Sequence, residues 1–132
     1  MRDLVDALEL WTTTDPYRDL PGKTIAWRLI PALEHGHYRL YRDNEGYPVG
    51  LVTWAFMTRE EYETGVYYGP EVFARKDGEL LVFADMIAPY GRNDVLFICR
   101  DLRKIFKELY PGVKTVVARR GQRTGVFPNK GG

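Results

Sequence analysis

Asp85 is the first residue whose type and place ask for chemistry. It stands inside the most apolar run of the chain, residues 79–88, and Pro89-Tyr90-Gly91 then breaks that run. A carboxylate in a partly dry place pairs with a cation or a histidine, or carries a raised pKa. After the break the chain reads as a helix. The unpaired amides at its start, around Arg92, Asn93, Asp94 and Val95, suit an anion such as a phosphate. The residues alone leave two readings open: a catalytic carboxylate, or a buried aspartate that satisfies backbone amides where a strand end splays.

The elements that must position this junction follow from periodicity. Leu4, Ala7, Leu8 and Trp11 recur at helical spacing, which predicts a helix over 2–12. Residues 12–22 read as a loop, marked by Asp15-Pro16 and Leu20-Pro21-Gly22. Residues 24–35 read as a helix that Pro31 should kink or break. Residues 37–42 alternate as a strand, Asp43-Asn44-Glu45-Gly46 turns the chain, and 47–56 make a second strand. Thr58 and Glu61 have capping-box spacing, so a helix should start there and end before Gly69-Pro70. The 79–88 run belongs at the centre of a sheet. Asn93 or Asp94 should cap the next helix, which puts Val95, Ile98, Leu102, Ile105 or Phe106, and Leu109 on one face. Residues 113–119 are a last strand, and from Arg120 the chain reads as a Gly-rich basic tail, partly mobile. The sum is an α/β arrangement, one domain over residues 1–132 with a mixed sheet flanked by helices.

Composition narrows the function. The 132 residues fit one domain, and 45% hydrophobic content fills a core. A formal net charge of +1 gives no field of the kind that nucleic-acid binding demands. Cys99 is the one cysteine, so no disulfide closes within the chain and a reducing compartment fits. The start does not look like a signal peptide, and no run approaches the ~18 apolar residues of a membrane span. The expectation is a cytoplasmic protein. His35 and His37 are the two histidines, and no Cys/His cluster offers a metal site.

Three blocks carry a resemblance. They are Leu29-Ile30-Pro31-Ala32-Leu33 with Tyr38-Arg39-Leu40 and Arg42-Asp43-Asn44; Tyr47-Pro48-Val49-Gly50 running to Thr53-Trp54-Ala55; and Asp85-Met86-Ile87-Ala88-Pro89-Tyr90-Gly91. In order and spacing the chain resembles the toxin-activating lysine acyltransferases, which attach fatty acyl groups to lysines of RTX haemolysins. That family looks like a divergent branch of the Gcn5-related N-acyltransferase fold. The resemblance implies an acyl donor on a phosphopantetheine arm, either acyl carrier protein or coenzyme A, with no permanently bound cofactor. It implies a protein acceptor, and a His/Asp pair in which Asp85 falls on the aspartate. It also implies that Pro89, Tyr90, Gly91, Arg92, Asn93 and Asp94 contact the donor's phosphate. The family histidine lies in a Pro-x-His-Arg-x-Trp-Pro loop. Here the loop is Asp15-Pro16-Tyr17-Arg18-Asp19-Leu20-Pro21, and Tyr17-Arg18 stands where His-Arg would be.

That exchange changes the chemistry. A histidine near pKa 6.5 relays protons at neutral pH, whereas a phenol near 10 is suited to giving a proton to a departing thiolate. The expectation is acyl transfer from a thioester to an amine, with Asp85 as base or orienting group and Tyr17 as proton donor. The alternative is a non-catalytic interaction module, phage or bacterial, on a retired acyltransferase fold. His37 is a candidate to replace the loop histidine, against the plainer reading of a strand-end residue. Cys99 reads as a small core residue. Tyr62, Tyr67, Tyr68 and Trp54 are candidates to line an acyl pocket, although such clusters are more often core. Arg100, Arg103, Lys104 and Lys107, with the five cations of residues 114–132, read as a solvated face or as a patch for an acidic carrier, coenzyme A phosphates or nucleic acid. A homodimer is compatible with all of this.

Overall fold

The computed structural model describes residues 2–65, 69–120 and 123–130. A five-stranded mixed sheet lies between helices, the arrangement expected of a Gcn5-related N-acyltransferase fold. Its strands are β1 (Tyr38–Arg42), β2 (Pro48–Met57), β3 (Leu80–Ile87), β4 (Thr115–Arg120) and β5 (Arg123–Pro128), and their spatial order follows the chain. Neighbours are antiparallel except β3 and β4, which run parallel. A parallel pair needs a long crossover, and α6 (Arg92–Leu109) supplies it.

The two faces of the sheet sort the side chains. On one face Val52, Trp54, Phe56 and Leu81 meet Ile98, Leu102, Ile105 and Phe106 of α6. On the other, Leu51 and Ile87 pack under Ala7, Leu10 and Trp11 of α1 (Arg2–Thr13), and Ala55, Met57 and Val82 pack near Ala32 and Phe73. Each large side chain buried this way contributes about 2–3 kcal/mol. Gly50 lies beneath α6, where an added Cβ would stand 2.6 Å from Ile98 Cδ1. Polar ties fix the helices. Tyr41 donates to Asp101 of α6 at 2.7 Å, and Arg42 pairs with Asp3 and Asp6 of α1.

Several expectations are corrected in detail. The helix expected over 24–35 begins earlier, as α2 (Gly22–Thr24), widens into a π turn (Ile25–Leu29) and continues as α3 (Ile30–Glu34). The π turn falls just before Pro31, whose missing N–H would leave an α-helical bond unmade. The capping box forms, with Glu61 N–H donating to Thr58 Oγ1 at 3.1 Å. The helix it starts, α4 (Arg59–Thr64), stops at Gly65 in the left-handed conformation, and a separate turn, α5 (Pro70–Phe73), follows. Neither Asn93 nor Asp94 caps α6. Its N-cap is Gly91, at φ 122°, and both residues sit inside the first turn. The segment read as a tail contributes β5. Asn129 then anchors it, because its side-chain amide donates to the carbonyls of Phe106, Tyr110 and Val113 at 3.3, 3.1 and 2.9 Å, where α6 runs out of intrahelical partners. Among the described residues no helix is long and apolar enough to cross a membrane, and no acidic, His or Cys cluster could hold a metal.

Candidate active site

The site exists because β3 carries a bulge. β2 pairs Trp54 with Phe83 and Thr53 with Asp85, so Ala84 has no partner across the ladder. Strict alternation would send Asp85 to the α6 face with Leu81 and Phe83. One extra residue reverses the alternation, and Asp85 joins Thr53 and Ile87 on the face that carries α1 and α3. There it is buried, at 3% relative exposure.

Three elements close around the carboxylate. Arg28, from the π turn, pairs with Asp85 through Nη2 on Oδ1 and Nε on Oδ2 at 3.3 Å. The same Nη2 donates to the Ala84 carbonyl at 3.2 Å. Tyr17 lies on the short 3-10 turn after α1 (Tyr17–Asp19), wedged edge-on against Trp11 at 4.8 Å between ring centroids. Its hydroxyl donates to the Met86 carbonyl and accepts from the Met86 N–H, both at 3.4 Å. Thr53, fully buried, presents its side chain from β2. Burial pushes the Asp85 carboxyl up to about 6, even though the Arg28 charge and the Arg28 hydrogen bonds pull it down. Burial also pushes the Tyr17 phenol up to about 12, and the nearby Asp85 charge adds to the rise.

An apolar cleft of about 1120 Å³ leads to these two groups. β3 and β4 pair only over Leu80–Val82 and Thr115–Val117, then part, and the opening between them runs through the sheet. Phe83, Val95, Cys99, Leu102 and Phe106 line its α6 side, while Tyr17 and Asp85 line its polar end. Val95, Cys99 and Leu102 follow one another at i, i+4 and i+7, so a single stripe of α6 forms that wall. Pro89 reaches the cleft, and Gly91 leaves the first-turn amides of α6 without a side-chain cap.

Of the residues singled out in the sequence, Tyr17 and Asp85 come together and His37 does not join them. His37 lies on the α6 face with its ring edge-on to Phe56 at 5.3 Å, because strand alternation puts it opposite to Tyr38 and Thr53. Burial lowers its pKa, which suits a neutral core imidazole. Trp54 is core, donating to the Tyr110 hydroxyl at 3.1 Å, and Tyr62 packs against the cluster of Ala55, Met57 and Phe73; neither lines the cleft. Tyr67 and Tyr68 lie outside the described residues, as do Gly121 and Gln122 of the basic segment. Arg100, Arg103, Lys104 and Lys107 are exposed on α6, with Arg103 at the cleft. Arg28 was missed. Its signal was spacing: Ile25, Arg28, Leu29 and Ala32 fall on one helical stripe, which places a cation on an otherwise apolar face.

Residues 4–126 match the sequence profile of the RTX toxin acyltransferase family. The chain belongs to that family. Within it, the chain is similar to the leukotoxin-activating lysine-acyltransferase LtxC of Aggregatibacter actinomycetemcomitans, 28% identical over 102 residues that cover 74% of this chain and 57% of that protein. It is also similar to the protein-lysine palmitoyltransferase CyaC of Bordetella bronchiseptica, 30% identical over 120 residues, 87% of this chain and 62% of the other. Against the protein-lysine myristoyltransferase HlyC of Escherichia coli the identity is 30% over 102 residues, 75% and 56% of the two chains. The matches thus span between 56% and 62% of these relatives. The family match covers both the Tyr17 loop and the Asp85 strand.

Proposed function

We propose that this family member transfers an acyl group from a thioester donor to a lysine amine of a protein. The observation that carries the reading is the meeting of Tyr17 and Asp85 at the polar end of a long apolar cleft. At about 1120 Å³ the cleft exceeds the ~300–1,000 Å³ typical of ligand sites, which suits a long chain rather than an acetyl group. The names of the relatives CyaC and HlyC, a palmitoyl- and a myristoyltransferase, favour the same class of donor. Acyl carrier protein or coenzyme A would present the thioester on its pantetheine arm, with the phosphate at the amides of Gly91, Arg92, Asn93 and Asp94.

The protons balance within the site. Asp85, ionised above about pH 6, takes a proton as the amine attacks the thioester carbonyl. The tetrahedral adduct collapses to the amide, and the C–S bond breaks. Tyr17 gives its phenolic proton to the pantetheine thiolate and recovers one from Asp85. The net result moves one proton from amine to thiol. A second reading, a binding module without catalysis, is favoured by a specific feature: Asp85 is already engaged by Arg28, and a phenol stands in the histidine's place.

The test is acylation followed by intact-protein mass spectrometry, with acyl carrier protein and coenzyme A thioesters offered in parallel to a lysine-bearing acceptor. Asp85→Asn is expected to bind donor normally and to lose at least a hundredfold in transfer rate, the lower end of what a positioned general base contributes. Equal transfer by the variant would refute the assignment. Donor binding with no transfer by the unmodified protein would select the binding module.

A further inference from the structure

We propose that Arg28 is the positioning residue of this site, fixing the plane of the Asp85 carboxylate at the polar end of the cleft. The proposal rests on the reading above for its catalytic meaning, but its physical content is independent of it. One planar guanidinium makes three contacts: with Oδ1, with Oδ2 at 3.3 Å, and with the Ala84 carbonyl at 3.2 Å. The two carboxylate contacts fix the plane of the acid. The third holds the peptide of the bulge that turned Asp85 onto this face. A fork can do all three together, whereas an ammonium is a point charge.

The pair is unequal in its access to water. The Arg28 side chain keeps 30% of its exposure and that of Asp85 keeps none. The cation therefore stays hydrated while the carboxylate depends on its neighbours for solvation. The neighbour hydrogen-bonded to it is Arg28 from the π turn, with Tyr17 of the 3-10 turn close by, and Arg28 is the cation of the two. Without it, burial would keep the acid protonated in the neutral range, where it could accept no proton from an amine.

The decisive measurement is the titration of the Asp85 carboxyl carbon by NMR, in the full chain, with Asp85→Asn identifying the resonance. Arg28→Gln is expected to raise the midpoint by about one unit or more, the usual effect of losing an adjacent opposite charge. Arg28→Lys should restore part of the shift, since charge returns without the fork. In acyl transfer, the acid limb of the rate profile should move upward in Arg28→Gln by the same amount, with rate recovered at alkaline pH. An unmoved midpoint overturns the proposal, and so does a rate lost equally at every pH. Should Arg28→Gln not fold, Arg28→Lys carries the test: a partial rise supports the proposal and no rise overturns it. A shifted midpoint in a protein that transfers no acyl group would uphold Arg28 and refute the proposed reaction instead.

Discussion

Asp85 holds its charge against its surroundings, and two measurements should reveal the strain. Its ordinary pKa is near 3.8 and its folded value is about 6, so the folded chain binds the proton more tightly than the unfolded chain. The stability that this proton contributes is complete below about pH 4 and is lost as pH rises through 6. Compared with Asp85→Asn in urea unfolding, the unmodified protein should lose on the order of 3 kcal/mol between pH 4 and 7. The transfer rate should fall on the acid side with a midpoint near 6. No alkaline limb from Tyr17 is expected below pH 9, because its phenol stays neutral to about 12. Tyr17→Phe should slow thiolate departure most for donors with the most basic thiol. The sequence made Asp85 and Tyr17 legible through chemistry and family pattern. It could not reveal Arg28 as their partner, because the ion pair spans 57 positions and depends on a bulge that alternation does not announce. His37 looked eligible only because nothing in one strand says which face its neighbours occupy.

At the level of elements, the ends matter more than the middles. Asn129 closes three carbonyls at the C-terminal end of α6 and pins β5 to it. Asn129→Ala should cost about 1–3 kcal/mol by leaving buried acceptors unmet, read as a lower urea midpoint with an unchanged slope. Thr58→Ala should cost about 1 kcal/mol by opening the capping box of α4. Its Glu61 is held down to about 2, first by the Arg75 side chain and then by the Thr58 amide. That contribution is present above the ordinary carboxylate range and is lost as pH falls toward 2. The sequence exposed the capping box, α6 and the central strand because each has a strong local pattern. β5 stayed hidden because Gly125 and Pro128 argue against a strand, and only pairing with β4 overrides them. α4 ends at Gly65, which adopts φ 75°, four residues before the Gly69-Pro70 stop that the sequence marks.

Across the whole molecule, the cleft is the organising feature, and Cys99 reports on it. The chain has one cysteine, and its half-buried side chain lies on the cleft wall rather than sealed in the core. A long-chain thioester or its product should slow thiol modification of Cys99 at least tenfold, while a short-chain thioester protects less. Unchanged labelling would show that the acyl group lies elsewhere. The brief contact between β3 and β4 also has a kinetic meaning. β1 and β2 meet through a short turn and β2 holds β3 over seven residue pairs, whereas β4 reaches β3 only after the 18 residues of α6. That closure is rewarded by only three residue pairs, so it repays its loop entropy least. The cleft is thus the seam along which the chain last closes and first opens. A ligand lying across it would act as mortar, slowing amide exchange in β3 and β4 together and lengthening the lifetime of the folded state.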